Sequence, residues 1–125
     1  EAAVHTGKDC LPFAGGLSDK GLAIVGNLLS GPEVISSMKS LFREVEGIYD
    51  LANLTMEMMM AGEKAGGDSR GLQSAAVLIR DMSSPKSDFS AAEIDIRVDD
   101  HSDPLTELNR VLKLALEAEK PKLLS

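Results

Sequence analysis

Cysteine is almost absent from this chain of 125 residues: Cys10 is the only one. That excludes an internal disulfide and any CxxC metal site, and it makes a reducing, cytoplasmic setting the expectation. Tryptophan is missing, and aromatic residues make up only 3% of the sequence. Bases would find no stacking platform. Positive charge is short as well: 13 basic residues face 20 acidic ones, for a net charge of -7. Nucleic acid and an anionic membrane surface are both disfavoured as partners. No apolar run approaches the roughly 20 residues that span a bilayer, and no signal peptide is visible. The chain opens on Glu1 and not on methionine, so a processed or truncated product is expected.

What remains is ordinary globular composition, with 43% hydrophobic and 26% charged residues. The length allows one domain at most. Residues 2–6 read as a short strand and residues 7–20 as a loop, because Gly7, Pro12, Gly15 and Gly16 break any period. Gly21 to Val25 reads as a buried strand. A helix follows from the Ser30/Glu33 capping box, with Pro32 in its first turn and Gly47 as its stop. Val34, Ile35, Met38, Leu41, Phe42 and Val45 share its apolar face. Asp50 is expected to cap a second helix that runs to about Lys64. Leu51, Leu54, Met58 and Ala61 form its stripe, and Met56, Met59 and Met60 widen it. We read those methionines as adaptable core packing and not as a copper or partner-binding box.

The stretch Gly66–Ile79 joins a glycine pair, a polar loop and a small-apolar run that reads as a buried strand. A polar loop (81–92) precedes a strictly alternating strand, Glu93–Val98, expected to pair antiparallel with the previous one. Asp103-Pro104 then opens a third helix, lined by Leu105, Leu108, Val111, Leu112 and Ala115 and ending before Pro121. Segregated strands and helices give an α+β class with a largely antiparallel sheet. Leu22–Val25 and Ala75–Ile79 are continuously apolar, so their sheet needs cover on both faces. The helices supply one layer. The other must come from another chain or from residues outside this one, and a homo-oligomer is expected.

Polar groups at the mouth of a buried strand are a common place for a binding site. Asp68, Arg70, Gln73 and Ser74 are therefore candidates for holding a carboxylate or amide ligand, with Arg70 as a planar fork. The competing reading is that Asp68 pairs with Arg70 to brace the loop. Asn27, after Gly26 at the end of a buried strand, is a candidate catalytic donor to a reacting oxygen. The competing reading is a turn in which Asn27 takes the left-handed conformation. Asp99, Asp100, His101 and Asp103 combine oxygen and imidazole donors, but acids at a helix N-terminus serve equally as caps. A Cys10–His5 thiol–imidazole pair lacks a third member. Asn53-Leu54-Thr55 matches a glycosylation sequon but falls in a helix. No cofactor is called for.

Four blocks in order carry a resemblance: Thr6–Pro12 with Ala14-Gly15, Gly26–Val34, Ala65–Ala76, and Arg97–Pro104 with Glu107-Leu108. Together they closely resemble the domain-of-unknown-function family numbered 1028, which is assigned to the Ntn-hydrolase (N-terminal nucleophile) superfamily. The resemblance implies an αββα sandwich of two antiparallel sheets between helix layers. This chain would be a single partial domain, residues 1–125, forming the sandwich's C-terminal part. The family's further N-terminal portion, opening Thr-Phe-Ser after the initiator methionine, would supply strands and the candidate nucleophile. In that mechanism the first residue's hydroxyl or thiol attacks an amide carbonyl with its own α-amine as base. Glu1 offers neither group. The implied function is amide hydrolysis on a small substrate with the nucleophile outside this chain. The alternative is a non-catalytic ligand-binding or assembly module of the same fold. Two departures stand out: the family's histidine after Ala-Gly is Gly16 here, and its polar residue before Gly-Asn is Val25.

Overall fold

A computed structural model describes residues 1–82 and 93–123, with side chains described through residue 118. It is a mixed α+β chain with the order β1 (Gly15–Asp19), β2 (Leu22–Gly26), α1 (Glu33–Leu41), α2 (Gly47–Lys64), β3 (Ala75–Ile79), β4 (Ile94–Val98) and α3 (Pro104–Leu123). Two small antiparallel sheets replace the single sheet expected: β1 pairs with β2, and β3 with β4. The chain divides into two compact units. The first comprises Glu1–Glu44 and Glu57–Leu72, the second Val45–Met56 and Gln73–Ser125.

In the first unit, the strand expected at residues 2–6 is absent and β1 lies inside the stretch read as loop. Glycine and a hydroxyl do not announce a strand. Gly15 and Gly16 extend here because they can pair with Gly26 and Val25 across the hairpin. Helix α1 is shorter than its apolar period suggested. Pro32 is its N-cap with no side-chain cap bond, so Ser30 lies two residues too early to form the capping box. The helix closes at Leu41 because Phe42 turns extended, with ψ 130°. Three serines weaken it: Ser36, Ser37 and Ser40 donate to the carbonyls of Glu33, Val34 and Ser37. Val34 and Ile35 are buried. Gly62 of α2 permits a close approach to α1, since a Cβ there would meet Met38 Sδ at 2.8 Å. Ser37 Oγ also donates to the Ala61 carbonyl at 3.2 Å.

In the second unit, α2 begins at Gly47, whose φ of +80° suits glycine. Gly47 is therefore a start and not a stop, and Asp50 sits in the first turn, where its charge favours the helix dipole. Leu54 and Met56 of the expected stripe are buried, as is Met58 further along α2, whereas Leu51 is exposed and Ala52, not counted in the stripe, is buried in its place. Strands β3 and β4 pair from Ala75↔Val98 to Ile79↔Ile94, as the alternating pattern predicted. Helix α3 packs on both strands through Leu105, Leu108, Leu112 and Leu116. Asp103 caps it, accepting from the Thr106 amide at 3.3 Å. It continues through Pro121 to Leu123, because a proline in the last turn removes one backbone bond without reversing the chain. Most of the polar loop read at 81–92 lies outside the described residues.

The two continuously apolar strands are not buried on both faces. Ile24 is buried, whereas Val25 beside it is 61% exposed. Val77 and Ile79 are buried, whereas Leu78 between them is 58% exposed. Each sheet thus has one covered face and one open face, where Val25 stands beside Ser18 and Ala23, and Leu78 stands across from Asp95.

Candidate functional site

The Gly66–Gly71 loop starts as a helix ending. Gly66 donates its amide to the Glu63 carbonyl and Gly67 to the Gly62 carbonyl, both at 3.0 Å. Those two bonds make a Schellman motif, which satisfies the last carbonyls of α2 and reverses the chain. It needs glycine: Gly66 has φ +125°, and a Cβ there would collide with Ser30 Oγ. The reversed segment runs beside residues 28–30. Ser30 donates to the Gly67 carbonyl at 2.9 Å, and Ser69 to the Leu28 carbonyl at 2.7 Å. On the other side, Leu28 donates to the Leu11 carbonyl at 3.0 Å, while Leu29 and Phe13 exchange amide bonds. Three of the four blocks that carried the resemblance thus meet in one backbone ladder of the first unit.

Leu28 is the strained residue of that ladder. Its φ of +52° is left-handed, which costs a side-chain-bearing residue about 1–2 kcal/mol. Bonds on both sides, from its amide and to its carbonyl, hold it there. The turn read at Asn27 is real, but the left-handed residue is Leu28. A leucine at positive φ has no sequence signature, so periodicity and turn chemistry missed it. Such outliers concentrate at functional sites. Asn27 is exposed immediately before it.

Asp68 and Arg70 form a closed fork. Arg70 Nε donates to Asp68 Oδ1 at 3.0 Å, and a terminal guanidinium nitrogen donates to Oδ2 at 2.7 Å. The Arg70 amide adds a third bond to Oδ1 at 2.8 Å. These bonds, the guanidinium's first, pull the Asp68 carboxyl down to about 2 and push Arg70 up. A carboxylate that acidic is a poor proton acceptor near neutral pH. Its chemistry is to brace the loop and hold the guanidinium plane, which stays 68% exposed.

Gln73 and Ser74 belong to the second unit. The Gln73 side-chain amide donates to Asp100 Oδ1 at 3.4 Å, and its carbonyl accepts from the His101 amide at 3.0 Å. Ser74 is exposed just before β3. His101 Nδ1 accepts from the Asp103 amide at 2.9 Å, and Asp99 pairs with Arg97 at 3.2 Å. The acidic corner is thereby occupied with capping and pairing. Glu107, one turn into α3, is held below the usual carboxylate range by Arg110, which forks it at 2.9 and 2.7 Å.

Among the described residues, no group of three or more His, Cys, Asp or Glu side chains is placed to hold a metal ion. No hydrogen bond among them joins the Cys10 thiol to the His5 imidazole, and both side chains are exposed. No helix of the described residues is long and apolar enough to cross a membrane. Asn53 of the sequon lies on α2.

No curated protein and no solved structure matches the chain. The profile of the family of unknown function DUF1028 matches residues 1–108, most of the length, and the chain belongs to that family.

Proposed function

We propose that this chain is one part of an Ntn-hydrolase-like αββα sandwich that hydrolyses a small amide, with the nucleophile supplied from outside residues 1–125. The observation that carries the reading is the strained Leu28 turn, held where three separate segments meet, with Asn27 exposed beside it. Asn27 serves as the oxyanion donor, and the Asp68–Arg70 fork serves as a rigid wall with a cationic face. Gln73 is engaged at the Asp100–His101 corner, and Ser74 is exposed just before β3. The exposed Val25 and Leu78 support the sandwich, because the open face around each leaves room for the second sheet it requires.

The test is co-expression with the family's N-terminal portion, followed by assay on a panel of small amides. Replacing that portion's first residue should abolish turnover, and Asn27→Ala should lower kcat by about 10²-fold with little change in KM. Turnover indifferent to both changes, or no turnover on any amide, ends the proposal.

The closed fork favours a second reading. Both Asp68 oxygens are consumed by Arg70, as in a scaffold and unlike a poised acid. In this reading the chain is a non-catalytic ligand-binding or assembly module, and its open sheet faces join copies in a homo-oligomer. Light scattering decides it: a stable monomer at micromolar concentration removes the homo-oligomer.

A further inference from the structure

The second unit holds a cleft of about 290 Å³, just under the range usual for small-molecule sites. It lies wholly within that unit and shares no residue with the ladder around Leu28, so it goes beyond the function proposed above. Ile48 and Tyr49 in the first turn of α2 form one wall, and Ala115 and Leu116 of α3 form another. The Tyr49 hydroxyl donates to the Leu116 carbonyl, which fixes the ring between those helices. Residues 93–96 form the third wall in an unbroken run.

Consecutive strand residues alternate between faces. Ile94 and Ile96 turn toward α3, and Ile94 is buried. Glu93 and Asp95 turn to the opposite face, with Arg97, and are exposed. What Glu93 and Asp95 give the cleft is therefore main chain. No residue of β3 lines it, so the cleft runs along the edge of β4 that faces away from β3. Among the described residues β3 is the only strand paired with β4, so that far edge carries unpaired N–H and C=O groups. The two sides of the edge differ in charge. Toward α3 the cleft is apolar. On the open side neither Glu93 nor Asp95 forms an ion pair among the described residues, whereas Arg97 is paired with Asp99 at 3.2 Å.

We propose that this edge takes an extended peptide as a further strand, one with an apolar residue flanked on both sides by lysine or arginine. Main-chain bonds to β4 give such a strand its hold, and its alternating side chains give the choice of partner. The apolar residue, opposite Ile94, enters the cleft against Tyr49 and Leu116. Its two neighbours then point to the open face and lie beside Glu93 and Asp95, within cross-strand reach. An acidic peptide would set like charges side by side there. The chain's net charge of -7 weighs against a second copy at the same edge.

The test is backbone NMR shift mapping on the full chain with acetylated, amidated peptides: Lys-Leu-Lys-Leu-Thr and its acidic counterpart Glu-Leu-Glu-Leu-Thr. The basic peptide is expected to move the amides of Tyr49, Ile94, Ile96 and Leu116 and to bind about tenfold more tightly than the acidic one. Added salt should narrow that preference, since the carboxylates are exposed. Two further basic peptides are N-methylated, one at both lysines and one at both leucines. Alternate amides of a strand face the same edge, so one of these peptides should lose binding and the other keep it. The double variant Glu93→Lys, Asp95→Lys changes only exposed side chains, and it should reverse the preference toward the acidic peptide. Equal binding of basic and acidic peptides overturns the proposal. So do shifts confined to other residues, an equal response to both N-methylations, a double variant that keeps the basic preference, or no shifts at millimolar peptide. Concentration-dependent shifts at Ile94 and Ile96 without peptide would assign the edge to a second copy and overturn it as well.

Discussion

Around Leu28, the first unit is tied by main-chain bonds to Leu11, Phe13, Gly67 and Ser69, and none of the side chains of that ladder is fully buried. Around Leu108, the second unit is tied by side chains: Leu105, Leu108, Leu112 and Leu116 of α3 packed on β3 and β4. The two arrangements fail differently. A backbone ladder tolerates most side-chain changes and breaks where φ or space admits only glycine. A leucine-lined helix tolerates any backbone-neutral surface change and breaks when volume is removed. A site built on the first kind can vary its chemistry without losing its geometry.

The sharpest break in that contrast comes from Leu108→Ala, at a side chain that is 0% exposed. A loss of about 2–5 kcal/mol is expected in urea denaturation followed by far-UV circular dichroism. A loss below about 1 kcal/mol would mean that α3 is not the core it looks to be. Next comes a pair of glycines in the first unit. Gly66→Ala meets both a φ of +125° and the Ser30 hydroxyl, and it should cost about 1–3 kcal/mol. Gly71→Ala meets a φ of +99° with open space around it, and should cost less. Equal losses for the two would show that crowding at Ser30 plays no part.

A smaller effect is expected at the N-terminus of α3. Asp103→Ala removes the bond to the Thr106 amide and should cost about 1 kcal/mol by thermal or chemical denaturation. A neutral outcome would leave His101 and solvent as sufficient partners for that turn.

The smallest effect on stability belongs to the exposed Asp68–Arg70 fork, where a spectroscopic readout is the better measure. Asp68 is depressed in the folded chain, so its contribution is present above the unfolded value of about 3.9 and lost as pH falls through about 2. Carboxyl carbon shifts should show Asp68 titrating near the lower value. Arg70→Gln should return it toward the upper one. An Asp68 that titrates normally in the wild-type chain would mean the fork is open in solution.

Much of the second unit was legible in the sequence because its signals are local. The alternation of Ile94, Ile96 and Val98 against Asp95 and Arg97 gave β4 and its face, and Asp103-Pro104 gave the start of α3. The first unit was less legible. Strand β1 is carried by glycines that pair only because β2 is there, and α1 stops at Leu41 although apolar residues continue at helical spacing. Of the candidate site, the glycine pair and the Asp68–Arg70 brace could be read from residue types. The left-handed Leu28 could not.

Residue order alone determined the α+β class, the family, the antiparallel pairing of β3 with β4, and the capped α3, because each rests on neighbours a few residues apart or on blocks in sequence. Tertiary structure decided which of Asn27 and Leu28 takes the strained conformation, and that Gln73 turns to Asp100. It also decided that Val25 and Leu78 face outward. The Leu28 conformation depends on Leu11 and Ser69, 17 and 41 residues away on either side of it, and the Gln73 bond on a partner 27 residues away; no local propensity encodes a partner that distant.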